Sequence, residues 1–258
     1  MMQRDDVLAF ATAAAVPGVT EDDMLLARVL EAEGTSVVPA VWDDPAVEWS
    51  RFSAVVIRSC WDYHLKHEQF LAWVDRVASL GVRVFNPPSL VRWNSEKTYL
   101  RDLAGRGVAV APTRWVGQGE HVSLAELVRE CGWDAVVVKP AVSASAHETW
   151  RSGRSPADGD DERFRRMVDR GRVLVQPFLD EVQLEGEWSL LFYGGAYSHA
   201  VLKRPRKGDF RVQREHGGQS EPRVAPCDAI AAASTAVRAA TGVAAYATTV
   251  TAGAQRAR

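Results

Sequence analysis

Between Val7 and Phe85 the chain alternates short apolar runs with stretches of helical period. Val7 to Ala11 reads as a buried strand. Thr20 followed by Glu21, Asp22 and Asp23 supplies a cap and an acidic first turn, and Met24 to Ala32 carries a helical apolar pattern that Gly34 stops. Ser36 to Trp42 and Ala54 to Ile57 read as further strands. Phe70, Leu71, Val74, Val77 and Ala78 lie on one face of a helix over Glu68 to Leu80, which Gly81 closes. Val82 to Phe85 is a fourth strand, cut off by Asn86-Pro87-Pro88. Strands and helices in this alternation predict βαβ units and a parallel sheet, whose ligands sit beyond the carboxyl ends of the strands.

The pattern then changes. A helix is predicted over 95–105, carrying Lys97. A short strand and turn follow through Val108 to Val116, and a helix from Ser123 to Cys131. Ala135-Val136-Val137-Val138-Lys139-Pro140 is an apolar strand that ends on a lysine, costly to bury without an anion. Ala141 to His147 is a loop of small and hydroxyl-bearing residues, suited to folding over phosphates. A helix over Asp160 to Arg170 leads to a strand from Arg172 to Val175. Pro177 then denies ladder pairing, which predicts an edge strand or a hinge. Trp188 to Tyr193 and Ala196 to Leu202, joined by Gly194-Gly195, predict a hairpin. Cys227 to Thr241 is an alanine-rich helix, and Val243 to Val250 a last strand.

Composition narrows the function classes. The 258 residues hold 31 Lys and Arg against 33 Asp and Glu, a net charge of −2, so no global field favours nucleic acid. Cys60, Cys131 and Cys227 form no C-x-x-C pair, which fits reduced thiols in a cytoplasmic protein. The apolar run from Val7 to Val16 follows Asp5 and Asp6, unlike a signal peptide, and is too short to span a bilayer. Against this near-neutral background, Lys203 to Arg211 crowds cations around Gly208 and Asp209. Like charges repel, so such crowding is favourable where an anion joins it.

Two upstream lysines, a flexible loop and this basic stretch form a phosphate-binding set. In order, Ile57 to Tyr63, Asn94 to Lys97, Val138 to Pro140, Val175 to Phe178, and Gly208 to Arg211 with His216-Gly217-Gly218 resemble the ATP-grasp superfamily. The similarity is to its glutathione-synthetase-like and ribosomal-protein glutamate-ligase branch, and most of all to the small ligases related to the O-ureidoserine cyclo-ligase of cycloserine biosynthesis. The resemblance implies a parallel α/β domain over 1–93, an N-terminal ATP-grasp lobe over 94–175 and a C-terminal lobe over 176–258. The fold class expected is therefore α/β and α+β, with the last strands incomplete.

The resemblance also implies site roles. Lys97 and Lys139 would bind the phosphates of ATP, and Ser143 and Ser145 lie in the covering loop. Gln176, Pro177, Phe178 and Leu179 would form the adenine hinge, and Glu187 would take the ribose. Lys203 and Arg211 would face the transferred phosphoryl group as catalytic residues. Arg58, Ser59, Asp62, Tyr63, His216 and Gly217 would contact a small-molecule or peptide carboxylate and its amine partner. No nucleic acid or membrane partner is implied; a homodimer is.

Mg²⁺ is expected from the family, yet its ligands are not found: from Cys227 onward Asp228 is the sole acid. Threonine hydroxyls cannot replace carboxylates for a hard dication. The end of the chain resembles the product of a frameshift or truncation after Tyr246. The alternatives to a ligase are a catalytically impaired ATP-binding remnant or regulatory nucleotide-binding protein, and an α/β binding protein without chemistry.

Overall fold

The computed structural model describes residues 7–240 and the backbone of residues 247–253. The chain divides into two compact units, one up to Ser95 and one from Glu96 onward.

In the first unit the apolar runs become β1 (Val7–Thr12), β2 (Ser36–Val41), β3 (Ala54–Ser59) and β4 (Arg83–Phe85), all parallel in the order β2-β1-β3-β4. Helix α1 (Glu21–Ala32) starts on a capping box in which Thr20 and Asp23 satisfy each other's backbone N–H groups. Helix α2 (His67–Ser79) buries Phe70, Trp73, Val74 and Val77, one stripe of the helical period. That stripe meets Trp42, Trp49 and Phe52. Trp42 stands edge-on to Phe70 at 5.4 Å and Trp49 to Trp73 at 5.1 Å, so these indoles build the core. Helix α3 (Pro88–Asn94) closes the unit.

The sequence-derived helix over 95–105 is replaced by α3 and α4 (Tyr99–Gly105), with residues 95–98 as the turn between them. Lys97 therefore sits in a turn. Its backbone N–H donates to the Ala141 carbonyl at 2.9 Å, a tertiary bond that satisfies it outside any helix.

In the second unit, β5 (Arg114–Val116), β6 (Ala135–Pro140), β7 (Trp150–Gly153) and β8 (Val173–Pro177) form an antiparallel sheet in the order β5-β8-β6-β7. Strand β8 lies between β5 and β6, so the expectation of an edge strand is corrected. Pro177 is its last residue, where the missing N–H costs no ladder bond, and Gln176 pairs in register with Val137. Strand β7 was not expected from the polar sequence around it; Trp150 and Ser152 point inward while Arg151 and Gly153 are exposed. Helices α5 (Leu124–Cys131) and α6 (Asp160–Arg170) cover one face of the sheet through Leu124, Leu127, Val128, Phe164, Met167 and Val168.

Past β8 comes the short helix α7 (Asp180–Leu184). The hairpin is β9 (Glu187–Tyr193) and β10 (Ala196–Arg204). With β11 (Gln219–Pro222) and β12 (Ala247–Gly253) it forms a second antiparallel sheet in the order β11-β10-β9-β12. Helix α8 (Cys227–Ala240) packs on it through Ala233 and Val237, against Trp188, Leu190, Phe192, Ala200 and Leu202. Strand alternation then turns Glu187, Ser189 and Leu191 to the face away from α8. Of the expected strand over Val243 to Val250, residues 247–250 lie in β12, and residues 243–246 lie outside the described ones. Among the described residues no helix is long and apolar enough to cross a membrane.

Asp23 is a point on which the first unit turns. It is 3 % exposed, closes the capping box of α1, and accepts hydrogen bonds from Arg58 Nε at 2.6 Å and Ser59 Oγ at 2.7 Å. Asp23→Ala removes half of the capping box, strands the buried Ser59 hydroxyl and takes the ion-pair partner from Arg58. Urea unfolding of this variant is expected to show a loss of about 2–3 kcal/mol relative to the parent chain.

Candidate functional site

Three lysines and one carboxylate from distant parts of the second unit act on one another. Lys97 comes from the turn before α4, Lys139 from the end of β6, Glu187 from the start of β9, and Lys203 from β10 directly opposite Glu187 in register. All four are half-buried. Burial pushes the Lys97 ammonium down to about 8, and the charge of Lys139 adds to the shift. Lys139 is lowered by burial too, with Glu187 opposing. Glu187 is raised by burial, and Lys203 and Lys139 hold it back. The first cause in each case is desolvation of the charged form by burial.

Gly186 makes the approach of Glu187 to Lys203 possible. Its φ is +101°, and a Cβ there would lie 2.7 Å from the Lys203 carbonyl oxygen. Gly186→Ala is expected to weaken both the fold and anion binding, read as a lower unfolding midpoint together with a raised Kd for a nucleotide analogue.

The loop after β6 lies against this cluster. Lys97 Nζ donates to the Ser143 carbonyl at 2.6 Å, and Ser143 Oγ donates to the His147 carbonyl at 2.9 Å. Ser145, Ala146 and Glu148 adopt φ values of +48°, +54° and +51°, a left-handed conformation that side chains other than glycine disfavour. The Ser145 hydroxyl bonds Glu215, whose carboxyl is held below its usual range first by its own backbone N–H and then by this hydroxyl. His216 Nε2 lies 3.4 Å from the Ser145 carbonyl. Gly217 follows the same 3-10 turn, Arg214–His216, and its N–H donates to the Arg214 carbonyl at 2.8 Å.

The hinge segment is also anchored. Gln176 is buried and its Nε2 donates to Thr113 Oγ1 at 2.7 Å. Phe178 N–H donates to the Ala135 carbonyl at 2.8 Å. The Phe178 ring meets Phe210 edge-on at 5.9 Å and carries the Arg151 guanidinium at 3.9 Å, a cation–π contact. Pro177 ends β8, and Leu179 precedes α7.

Within the basic stretch the cations separate by partner. Asp209 accepts from Arg211 Nε at 3.0 Å and Nη2 at 2.8 Å, and from the backbone N–H groups of Phe210 and Arg211. That bidentate pairing fixes the guanidinium plane and leaves Nη1 pointing away from it. Arg204 pairs with Glu221. Asp209 and Asp23 are the polar residues of most consequence that the sequence-derived site omits. Asp209 could have been read from the Gly208-Asp209-Phe210-Arg211 spacing, whereas the partners of Asp23 lie 35 and 36 residues away.

Arg58, Ser59, Asp62 and Tyr63 stand at the carboxyl end of β3 in the first unit. Arg58 and Ser59 are tied to Asp23. The Asp62 carboxylate accepts from Trp42 Nε1 at 2.8 Å and faces Lys66 at 3.5 Å. Tyr63 packs on Phe70 at 5.4 Å between ring centres. Asp62 and Tyr63 thus contribute to the local scaffold, and Arg58 offers its terminal nitrogens on an exposed side chain.

A parallel α/β unit followed by two antiparallel sheets carrying a lysine cluster is the architecture of the ATP-grasp ligases. The structure is similar to the crystal structure of D-cycloserine synthetase DcsG, with a TM-score of 0.84 and 31 % identity over 95 % of this chain and 86 % of that one. It shares its fold with D-alanine–D-alanine ligase from Bacillus anthracis, with a TM-score of 0.67 and 13 % identity over 95 % of this chain and 81 % of that one. The profile of the D-cycloserine synthetase DcsG N-terminal domain matches residues 8–86. The cycloserine biosynthesis protein DcsG of Streptomyces lavendulae is 35 % identical over 201 residues, 76 % of this chain and 67 % of that protein. The chain belongs to the D-cycloserine synthetase family of ATP-grasp ligases.

Mg²⁺ is typical of such ligases. Among the described residues no group of three or more His, Cys, Asp or Glu side chains could hold an ion. Strand β12, paired with β9, has the sequence Ala-Thr-Thr-Val-Thr-Ala-Gly, and no Asp, Glu, His or Cys occurs from Ala229 to Arg258. The residues present do not fit a Mg²⁺ site.

The lysine cluster sets a pH dependence. Lys97 is charged below about 8 and neutral above it, so anion affinity falls as pH rises through that value. Calorimetry with a nucleotide analogue across that range is expected to show a rising Kd and proton uptake on binding near pH 8. Above about 8 and up to the ordinary lysine range, the unfolded chain binds more protons than the folded one, so the unfolding midpoint is expected to rise with pH in that window.

Proposed function

We propose that the chain binds ATP at the cluster of Lys97, Lys139, Lys203 and Glu187 and activates the carboxylate of a small molecule or peptide as an acyl phosphate. The observation that carries this reading is the grouping of Lys97 and Lys139, both desolvated, and Lys203 around a single carboxylate. Lys97 and Lys139 take the phosphates, with Ser143 and Ser145 in the loop beside them. The backbone of Gln176 to Leu179 takes the base, with Phe178 packed beneath Arg151. Glu187 takes the ribose. Lys203 and Arg211, the latter fixed by Asp209, face the phosphoryl group. Arg58, Ser59, Asp62 and Tyr63 supply the substrate-side surface of the first unit, and His216 and Gly217 that of the second.

ATP supplies the phosphoryl group: its terminal P–O bond breaks as a carboxylate oxygen bonds to phosphorus, giving ADP. An amine or other nucleophile then bonds to the acyl carbon, its proton goes to solvent, and phosphate leaves. The residues contribute position and charge neutralisation at the transferring oxygens. The reduced-thiol composition supports a cytoplasmic location for this chemistry.

Lys97→Ala and Lys139→Ala are each expected to raise the Kd for AMP-PNP by tenfold or more, on the order of 1.4 kcal/mol or above, while circular dichroism stays that of the parent. Unchanged affinity in both variants would sink the nucleotide reading.

The lack of a metal donor set favours a second reading, in which the chain holds nucleotide but turns it over weakly or not at all. Phosphate release from ATP in Mg²⁺ buffer, assayed with candidate amino-acid carboxylates, is expected to stay at the buffer rate. Robust release coupled to ligation would instead establish the first reading.

A further inference from the structure

We propose that this chain takes its nucleotide as the free polyphosphate, and that Mg²⁺ weakens the binding. The inference rests on the nucleotide reading above and concerns the form of the ligand that the cluster recognises.

The argument is one of charge and donor chemistry. Lys203 lies opposite Glu187 in the β9–β10 register, Lys139 interacts with Glu187, and Lys97 with Lys139, so three cations share one carboxylate. A free triphosphate carries about four negative charges near pH 8 and supplies what this set lacks. A Mg²⁺ ion on the same triphosphate cancels half of that charge and places a dication beside lysines that are already under-compensated.

A metal-assisted site offsets this with carboxylates that hold the ion. Here the neighbouring acids are committed elsewhere. Glu187 interacts with Lys139 and Lys203. Asp209 receives two nitrogens of Arg211 and two backbone N–H groups. Glu215 receives its own backbone N–H and the Ser145 hydroxyl. The β12 positions in register with Ser189 and Glu187 are Thr251 and Gly253, neither of which brings a charge. Mg²⁺ binds hard, charged oxygen donors in octahedral geometry and gives up water reluctantly. On this chain it would be held by phosphate and water, with the lysines repelling it.

The test is calorimetric titration of the full 258-residue chain with AMP-PNP, once in EDTA and once in excess MgCl₂. The affinity in EDTA is expected to be about three- to tenfold higher. Equal or tighter binding in MgCl₂ overturns the proposal. Absence of binding in both media removes the nucleotide reading itself, and the proposal with it, so the two failures are told apart. Electron paramagnetic resonance of Mn²⁺ added to the protein without nucleotide gives a second readout. The free-ion spectrum is expected to persist, and a protein-bound spectrum overturns the proposal.

Discussion

The second unit is organised around two desolvated lysines, Lys97 and Lys139, which together with Lys203 share one carboxylate. Keeping three ammonium groups half-buried is unfavourable unless the surrounding fold holds them there. The fold does so with separate devices. A tertiary hydrogen bond from Lys97 N–H to Ala141 fixes the turn before α4. The proline after Lys139 keeps that residue extended at the end of β6. Gly186, at a φ closed to other residues, brings Glu187 beside Lys203. Each device pins a backbone segment, so the charges stay together although their mutual repulsion favours dispersal.

The first unit handles charge the opposite way. Asp23 is nearly inaccessible and has Arg58, Ser59 and Thr20 around its two oxygens, which keeps its carboxyl below the ordinary range despite burial. Asp62 is held by the Trp42 indole and Lys66, and Lys66 also reaches Asp43 at 2.5 Å. These acids are satisfied within the unit, and they fasten α1 and the end of β3 into one frame. The contrast separates roles. In the first unit the polar groups at the strand ends are chiefly tied to the scaffold, with the terminal nitrogens of Arg58 left over. In the second the cations are left in surplus over the carboxylate they share.

Much of this was legible in the sequence where the signal was local. The capping boxes at Thr20 and Ser123, the helical stripe of α2, the hairpin around Gly194-Gly195 and the lysine ending an apolar run follow from neighbours in the chain. What could not be read depends on distant partners. Residues 95–98 have the composition of a helix, yet Lys97 turns toward Ala141 and Ser143 across 44 and 46 residues. Strand β7 is short and polar, and it exists because Val136 and Val138 have an edge for Ser152 and Trp150 to pair with. Strand β8 was read as an edge because of Pro177, but a proline at the last position of a central strand removes no ladder bond. The charge run from Lys203 to Arg211 offers Lys203 and Arg211 as its anion-facing members through the resemblance, whereas their partners, and the pairing of Arg204 with Glu221, come only from the tertiary structure.

The loop from Ala141 to Glu148 ties these themes together. The group in contact with the Lys97 ammonium is the Ser143 carbonyl, a dipole rather than a full charge. A carbonyl stabilises an ammonium less than an anionic oxygen does, which accounts for Lys97 remaining depressed while making a 2.6 Å hydrogen bond. A phosphate oxygen is the better partner for the same ammonium, which has further N–H donors to offer it beside the one given to Ser143. The far side of the loop is held by Glu215 and His216 through Ser145. The loop is thus held at Ser143 by Lys97 and at Ser145 by Glu215 and His216. The left-handed residues Ser145, Ala146 and Glu148 begin at the second of these attachments, so the contacts of Ser145 hold a backbone that is unfavourable by itself.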